Sequence, residues 1–355
     1  VDAFGYALNI NPNYVNAYYS QGIAFSELRR YEEAIDVFDH ALEIDPTHTL
    51  SLYHRGAALM NIQNYTGAIS AFDALLAISP QYTAAIYEKA VALLYLSRFQ
   101  EASLTFDEAL DLNPSLADAW LYKGIALVNL DASEDAITAF DKALLLNPGR
   151  TEAAIRKGIV LTNLEKFDDA IVVFNHVLEE EPGNPQVWYY KGIAHSHLGR
   201  HLEAVRSFDK TLEIDPSCTR AWSAKADACL ALVKPLEALD SFDRALETEP
   251  DNREIIYKKG VALFNLKKYD KALASFNEVL QLDPQSTDAQ FHRGLVFLEL
   301  KKPDEAVNAF TAVTEQDPEN TPALFYTATT LNELGRSEDA IAVLNQLLLI
   351  SPENA

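Results

Sequence analysis

Apolar and polar positions recur along this chain with a period of 34 residues, and each period holds two stretches of helical spacing. In 32–44, Ala34, Ile35, Phe38, Ala41 and Leu42 fall on one face at i, i+3 and i+4 intervals. That is the pattern of an amphipathic helix with one stripe turned to a core. A break precedes it, and before the break 16–28 carries apolar residues at the same spacing. Acidic pairs open the second stretch, as in Glu32–Glu33, Asp168–Asp169 and Glu338–Asp339. They favour the positive end of a helix dipole. Pro235 and Pro303 fall near a first turn, where proline is tolerated. Eleven prolines from Pro12 to Pro352 stand 34 residues apart. Each stops a second helix, because the residue before a proline is driven out of the α region. No segment alternates with period two, so no sheet is expected.

Repeats counted from three residues after each proline begin at 15, 49, 83, 117, 151, 185, 219, 253, 287 and 321. Residues 1–14 form a leading partial repeat, the second helix only, and 15–354 hold ten full repeats. Position 8 is always Gly or Ala, from Gly22 to Ala328, and position 20 is always Ala, from Ala34 to Ala340. Position 24 is Phe from Phe38 to Phe310 and becomes Leu344 in the last repeat. Small residues at two fixed points let two helices cross closely, and the phenyl ring fills the space beside them.

Tyr18, Gly22, Ala34, Phe38, Ala41 and Pro46 occupy positions 4, 8, 20, 24, 27 and 32, as do Trp120, Gly124, Ala136, Phe140, Ala143 and Pro148. In these residues the chain resembles the tetratricopeptide repeat (TPR) family over its whole length. The resemblance implies an all-α fold, a right-handed superhelical solenoid of antiparallel helix pairs, expected to form one domain. Such stacks present long surfaces to protein or peptide partners. One departure is steady. Position 7, usually leucine in the family, is Lys or Arg in eight successive repeats from Arg55 to Arg293.

The hydrophobic fraction of 48 % is ample for a core. No apolar run reaches the length of about 18 residues that a membrane span needs, and no secretory signal opens the sequence. Phe4, Ala7 and Pro12 match positions 24, 27 and 32 of a repeat lacking its first helix. The chain reads as a piece of a longer array, and a cytoplasmic location is expected. Two cysteines, Cys218 and Cys229, are too few for a disulfide scaffold. Cys229 takes a core position of its first helix.

The net charge of −23 argues against nucleic acid, whose backbone needs a basic track. Much of the acid lies at positions 18, 19, 25, 29 and 31, which the family turns outward, so a solvated outer face explains it. A basic partner is the other reading. The cations at position 7 also read two ways. They are a row that grips an acidic ligand, or they bridge successive repeats by pairing with the acid at position 25. The pairs would be Asp39–Arg55, Asp73–Lys89, Asp107–Lys123 and Asp141–Lys157.

The resemblance assigns positions 2, 5, 9, 12 and 13 to the concave side of a groove. Position 5 there supplies Tyr19, Tyr53, Tyr87, Tyr189, Tyr257, Phe291 and Phe325. An aromatic stripe with phenolic hydroxyls suits an extended peptide or a helix. Some of these side chains also pack between neighbouring first helices. Tyrosine tips are expected to stay available while aliphatic neighbours pack. Asn61, Asn129, Asn163 and Asn265 recur at position 13 and suit hydrogen bonds to a bound backbone. Asp227 replaces an apolar residue at position 9, as a contact for a basic side chain or as drift in one repeat. The Lys and Asn of the family's carboxylate clamp are missing from positions 5 and 9, and no asparagine ladder runs along position 6. His195, His197 and His201 cluster without a completing ligand, so no metal or other cofactor is expected. No catalytic motif is present. The expected function is a protein-binding scaffold. The alternatives are a substrate-recruiting arm of a larger enzyme and a structural spacer. The last helix closes in Leu347, Leu348, Leu349 and Ile350, from which end-to-end stacking of molecules, or fraying of the terminal repeats, is expected.

Overall fold

The computed structural model describes residues 8–351. Phe4, Ala7 and Pro352, which complete the first and last repeat signatures, lie outside the described residues. Among the described residues there is no strand. From Val15 onward, 13-residue first helices alternate with 14-residue second helices. The first pair is Val15–Glu27 and Tyr31–Ile44, and the last is Thr321–Glu333 and Ser337–Ile350. The chain packs as two compact units, 1–180 and 181–355. Within each, every helix packs on the next in sequence. Neighbouring first helices also touch, as Thr49–Asn61 touches Thr83–Tyr95 and Arg253–Asn265 touches Thr287–Glu299.

Two kinds of turn set this alternation. Between the helices of a pair, position 15 adopts a left-handed conformation, from Arg29 (φ 57°) to Gly335 (φ 75°). The Arg30 N–H then reaches Phe25 O, and the Arg29 N–H reaches Ser26 O, both at 2.9 Å. Two orphan carbonyls are satisfied in a Schellman cap. Between repeats, the residue before each periodic proline leaves the α region, as Asp45 does at φ −132° and ψ 92°. Its carboxylate accepts from the Thr47 amide at 2.9 Å and hydroxyl at 2.7 Å. Asn113 and Asp215 hold Ser115 and Ser217 in the same way. The acid at position 31 is thus a turn former as well as a solubilising charge. Pro235 and Pro303 each occupy the first position of their helices.

The core follows the fixed positions. All nine phenylalanines at position 24 are fully buried, and the alanines at position 20 are buried beside them. A Cβ added at Gly22 or Gly158 would stand 2.4 Å from its partner ring, Phe38 or Phe174. The glycine lets the two helices of a repeat close onto the phenyl face. Trp120, Trp188 and Trp222 at position 4 donate their indole N–H to Pro114, Pro182 and Pro216 carbonyls at 2.9–3.0 Å. The bulky residue and the periodic proline therefore lock each other. Cys229 is buried, as its position predicted, and both cysteines are free thiols.

Candidate protein-binding face

The cations at position 7 are engaged within the array. Lys89–Asp73, Lys157–Asp141 and Lys259–Asp243 pair at 2.6 Å and Lys225–Asp209 at 2.7 Å. Arg55 pairs with Asp39, and Lys123 with Asp107. Where position 25 is Asn277, Arg293 reaches only its amide oxygen at 3.5 Å, and burial lowers the guanidinium pKa. Each pair joins a second helix to the first helix of the next repeat. Lys123 and Lys225 also lie over Trp120 and Trp222, 5.3 and 5.2 Å from the ring centroids. The bridging alternative is the one that the geometry matches. Such half-exposed pairs are worth about 0–1 kcal/mol each and fix register more than they stabilise.

The position-5 rings lie against the core phenylalanines of their own repeats. Tyr19 stands 6.3 Å from Phe38, Tyr53 6.1 Å from Phe72, and Tyr87 6.2 Å from Phe106, centroid to centroid. In the second unit Tyr189, Tyr257 and Phe291 stand 6.1, 6.0 and 5.5 Å from Phe208, Phe276 and Phe310. Phe325 is exposed and edges onto Tyr326. Each tyrosine of this row is half-buried. Burial raises the pKa of all five phenols, so every one is neutral and a hydrogen-bond donor at physiological pH. The aliphatic neighbours divide: Leu121 and Val91 are buried, whereas Ile125 and Ile193 are only partly covered.

The polar candidates are more committed to the fold than the sequence suggested. Asn61 and Asn129 are exposed, but their amide N–H groups donate to Ala57 O and Ile125 O of their own helices at 2.9 Å. Asn129 and Asn163 come together on a small cavity of about 100 Å³ with Ile125, Val128, Arg156 and Ile159. Asn265 is exposed at the end of its helix. Asp227 is engaged with Lys258 of the following repeat at 3.0 Å, and Lys258 also meets Glu254 at 3.0 Å. These side chains line a cavity of about 340 Å³ with Tyr189, Arg220 and Ser223. Arg220 lies over the Tyr189 ring at 5.3 Å. Among the described residues no three His, Cys, Asp or Glu side chains converge as a metal site would require. No helix there is long and apolar enough to cross a membrane.

Sequence reasoning read position 6 only for an asparagine ladder and not for its rings. His54, Tyr122, His292 and Tyr326 lay their rings on the previous repeat's core phenylalanine. Centroids are 6.3, 6.4, 5.5 and 5.4 Å apart, and planes 25°, 14°, 37° and 21°. Position 6 therefore lines the same face as position 5. The signal that singles out one residue there is chemical: Glu88 is the lone acid in that row.

Models of the tetratricopeptide repeat match residues 15–48, 87–153, 161–228, 223–287 and 297–355. The chain belongs to the tetratricopeptide repeat family. Its helix pairs are an all-α solenoid of that type. Its fold is similar to the C-terminal part of a TPR repeat-containing protein from Cytophaga hutchinsonii. The TM-score is 0.60 at 21 % identity, covering 67 % of this chain and 97 % of that one. A tetratricopeptide repeat protein from Parabacteroides merdae is similar at TM-score 0.53 and 17 % identity, covering 70 % and 98 %. No curated protein matches the chain by sequence. The family is one of protein-interaction modules, and the chain is built as such a scaffold.

Proposed function

We propose that this protein binds a segment of a partner protein along the face formed by its first helices. The observation that supports the reading is the aromatic row at position 5. Touching first helices carry it forward within each unit, so Tyr53 and Tyr87 stand on adjacent helices, as do Tyr257 and Phe291. Half-buried rings held by core phenylalanines are pre-organised, so little side-chain entropy is lost when a partner covers them. The neutral phenols offer hydrogen bonds to a peptide backbone, apart from Tyr257, whose hydroxyl already bonds His292 Nδ1 at 3.1 Å. The acid at positions 25 and 31, by contrast, is already engaged in pairs and turns. The outer helices are thereby left with the charge that keeps a long stack soluble. The same reading places the exposed oxygen atoms of Asn61 and Asn129 as acceptors for the bound chain.

The test is affinity capture from lysate of the source cells. It compares the chain with a variant carrying Tyr53→Ala, Tyr87→Ala, Tyr189→Ala and Tyr257→Ala, whose helical circular dichroism is first shown to match the parent. A protein retained by the parent and lost by the variant is the expected result. Equal retention by both removes the first-helix face as the recognition surface.

A further inference from the structure

Glu88 stands where five other repeats place a ring. Rings at this position lie on the preceding repeat's core phenylalanine, which for Glu88 is Phe72, itself 6.1 Å from Tyr53, and Glu88 is half-buried next to Tyr87 on the same helix. The Tyr82 ring stands 5.5 Å from Tyr53, and the Tyr122 ring 6.4 Å from Tyr87. Burial raises the phenol pKa of Tyr53 and of Tyr87, and the Glu88 charge adds to the rise in both. Burial in turn raises the carboxyl pKa of Glu88. No hydrogen bond or ion pair holds this carboxylate among the described residues.

The nearby cations are engaged elsewhere. Between residues 49 and 130 the chain has four cations, Arg55, Lys89, Arg98 and Lys123. Each is already paired, with Asp39, Asp73, Glu101 and Asp107. Asp118, the other acid near Tyr87, is held by Arg150 at 2.8 Å. A half-buried carboxylate without a counter-charge destabilises the fold that carries it. Aromatic faces around it are poor hosts for an anion and good hosts for a cation, because their π-systems are negative on the face.

We infer that Tyr53, Tyr82, Tyr87, Tyr122 and Glu88 form a receptor for one cationic side chain, a lysine or arginine on the bound segment. The rings take the alkyl stem and the charge, and the carboxylate pairs with the head group. This inference rests on the first-helix face being the recognition surface. It deepens that reading by naming one chemical requirement on the partner and its place. Charge complementarity decides the occupant: seven carboxylates and four cations share residues 49–130, and of the three carboxylates outside the ion pairs, Glu108 and Asp111 are exposed on a second helix whereas Glu88 is half-buried on this face.

The experiment selects displayed random short peptides on the intact chain. Recovered peptides are then titrated by calorimetry into the parent and into the Glu88→Gln and Tyr87→Ala variants. The expected peptides share one lysine or arginine. Replacing it by norleucine weakens binding to the parent about tenfold or more, and changes binding to Glu88→Gln far less. Free Glu88→Gln is expected to melt higher than the parent near neutral pH, since it no longer buries an unpaired charge. Peptides that need Tyr87 but ignore Glu88→Gln overturn the cation site and leave the recognition face standing. Peptides indifferent to both variants, or none recovered, remove the face as well. A lower melting temperature for Glu88→Gln shows that the carboxylate has a partner inside the fold, which also overturns the proposal.

Discussion

Val233 sits in the left-handed turn of its repeat at φ 57°, a conformation that a β-branched residue strongly disfavours. The same turn is made by Gly199 at φ 68° in the preceding repeat. Placing an L side chain in this region costs about 1–2 kcal/mol. Val233→Gly removes that strain. It costs about 0.5–1 kcal/mol in extra unfolded-state freedom. Side-chain burial contributes little to the balance, because Val233 is 85 % exposed. The net expectation is a gain of about 0.5–1 kcal/mol. Gly199→Val is the mirror experiment. An added Cβ there meets nothing within 4 Å, so any loss comes from the backbone alone. Stability of a stacked array is a sum of local and neighbour terms, so a global midpoint blurs the effect. Native-state hydrogen exchange at the turn is the sharper assay. The Lys234 N–H bonds Cys229 O, and the Arg200 N–H bonds His195 O, both at 2.9 Å. Protection of Lys234 should rise about two- to fivefold in Val233→Gly, and that of Arg200 should fall by a similar factor in Gly199→Val. Equal signs in the two variants, or no change in either, would refute the strain argument.

Three further outcomes are expected. Gly158→Ala, whose Cβ would meet Phe174 at 2.4 Å, should lower stability by about 1–2 kcal/mol after helix propensity is credited. Gly260→Ala, at 2.8 Å from Phe276, should lose less, and denaturant midpoints of the two variants give the order. Burial lowers the His54 pKa, so the unfolded chain binds its proton more tightly than the native one. The contribution of His54 is then full above its ordinary value of about 6.5 and is lost as pH falls from there toward the lowered one. A His54→Phe variant should show a shallower fall in thermal midpoint over that window. Leu349 is 86 % exposed and Ile341 57 %. We expect concentration-dependent end-to-end association in sedimentation velocity, abolished by Ile341→Lys with Leu349→Lys.

Helix positions were legible because three independent signals agree in every repeat: the apolar stripe, the small residues and the proline. The pairing at position 7 was legible too, since a 16-residue offset between Asp39 and Arg55 recurs down the chain. The left-handed turn was not, because Arg29, Gln63, Ser97 and Val233 carry no glycine signal. Tertiary stacking imposes that conformation over local preference. At the candidate face, the tyrosine row was visible as a column of residue types. What Asn61 and Asp227 do was hidden, since a carbonyl of its own helix claims the Asn61 amide and a lysine of the next repeat claims Asp227. Glu88 was overlooked for the opposite reason. Its meaning lies in the rings that surround it and in the cations already taken by others.

Photo-crosslinking tests the central claim most directly. A benzophenone amino acid is placed at Tyr87 on the first-helix face or at Leu104, exposed on the adjacent second helix. Both proteins are irradiated in source-cell lysate. The account predicts a discrete crosslinked partner from position 87 and none from position 104. The same partner captured from 104 and missed from 87 would contradict it.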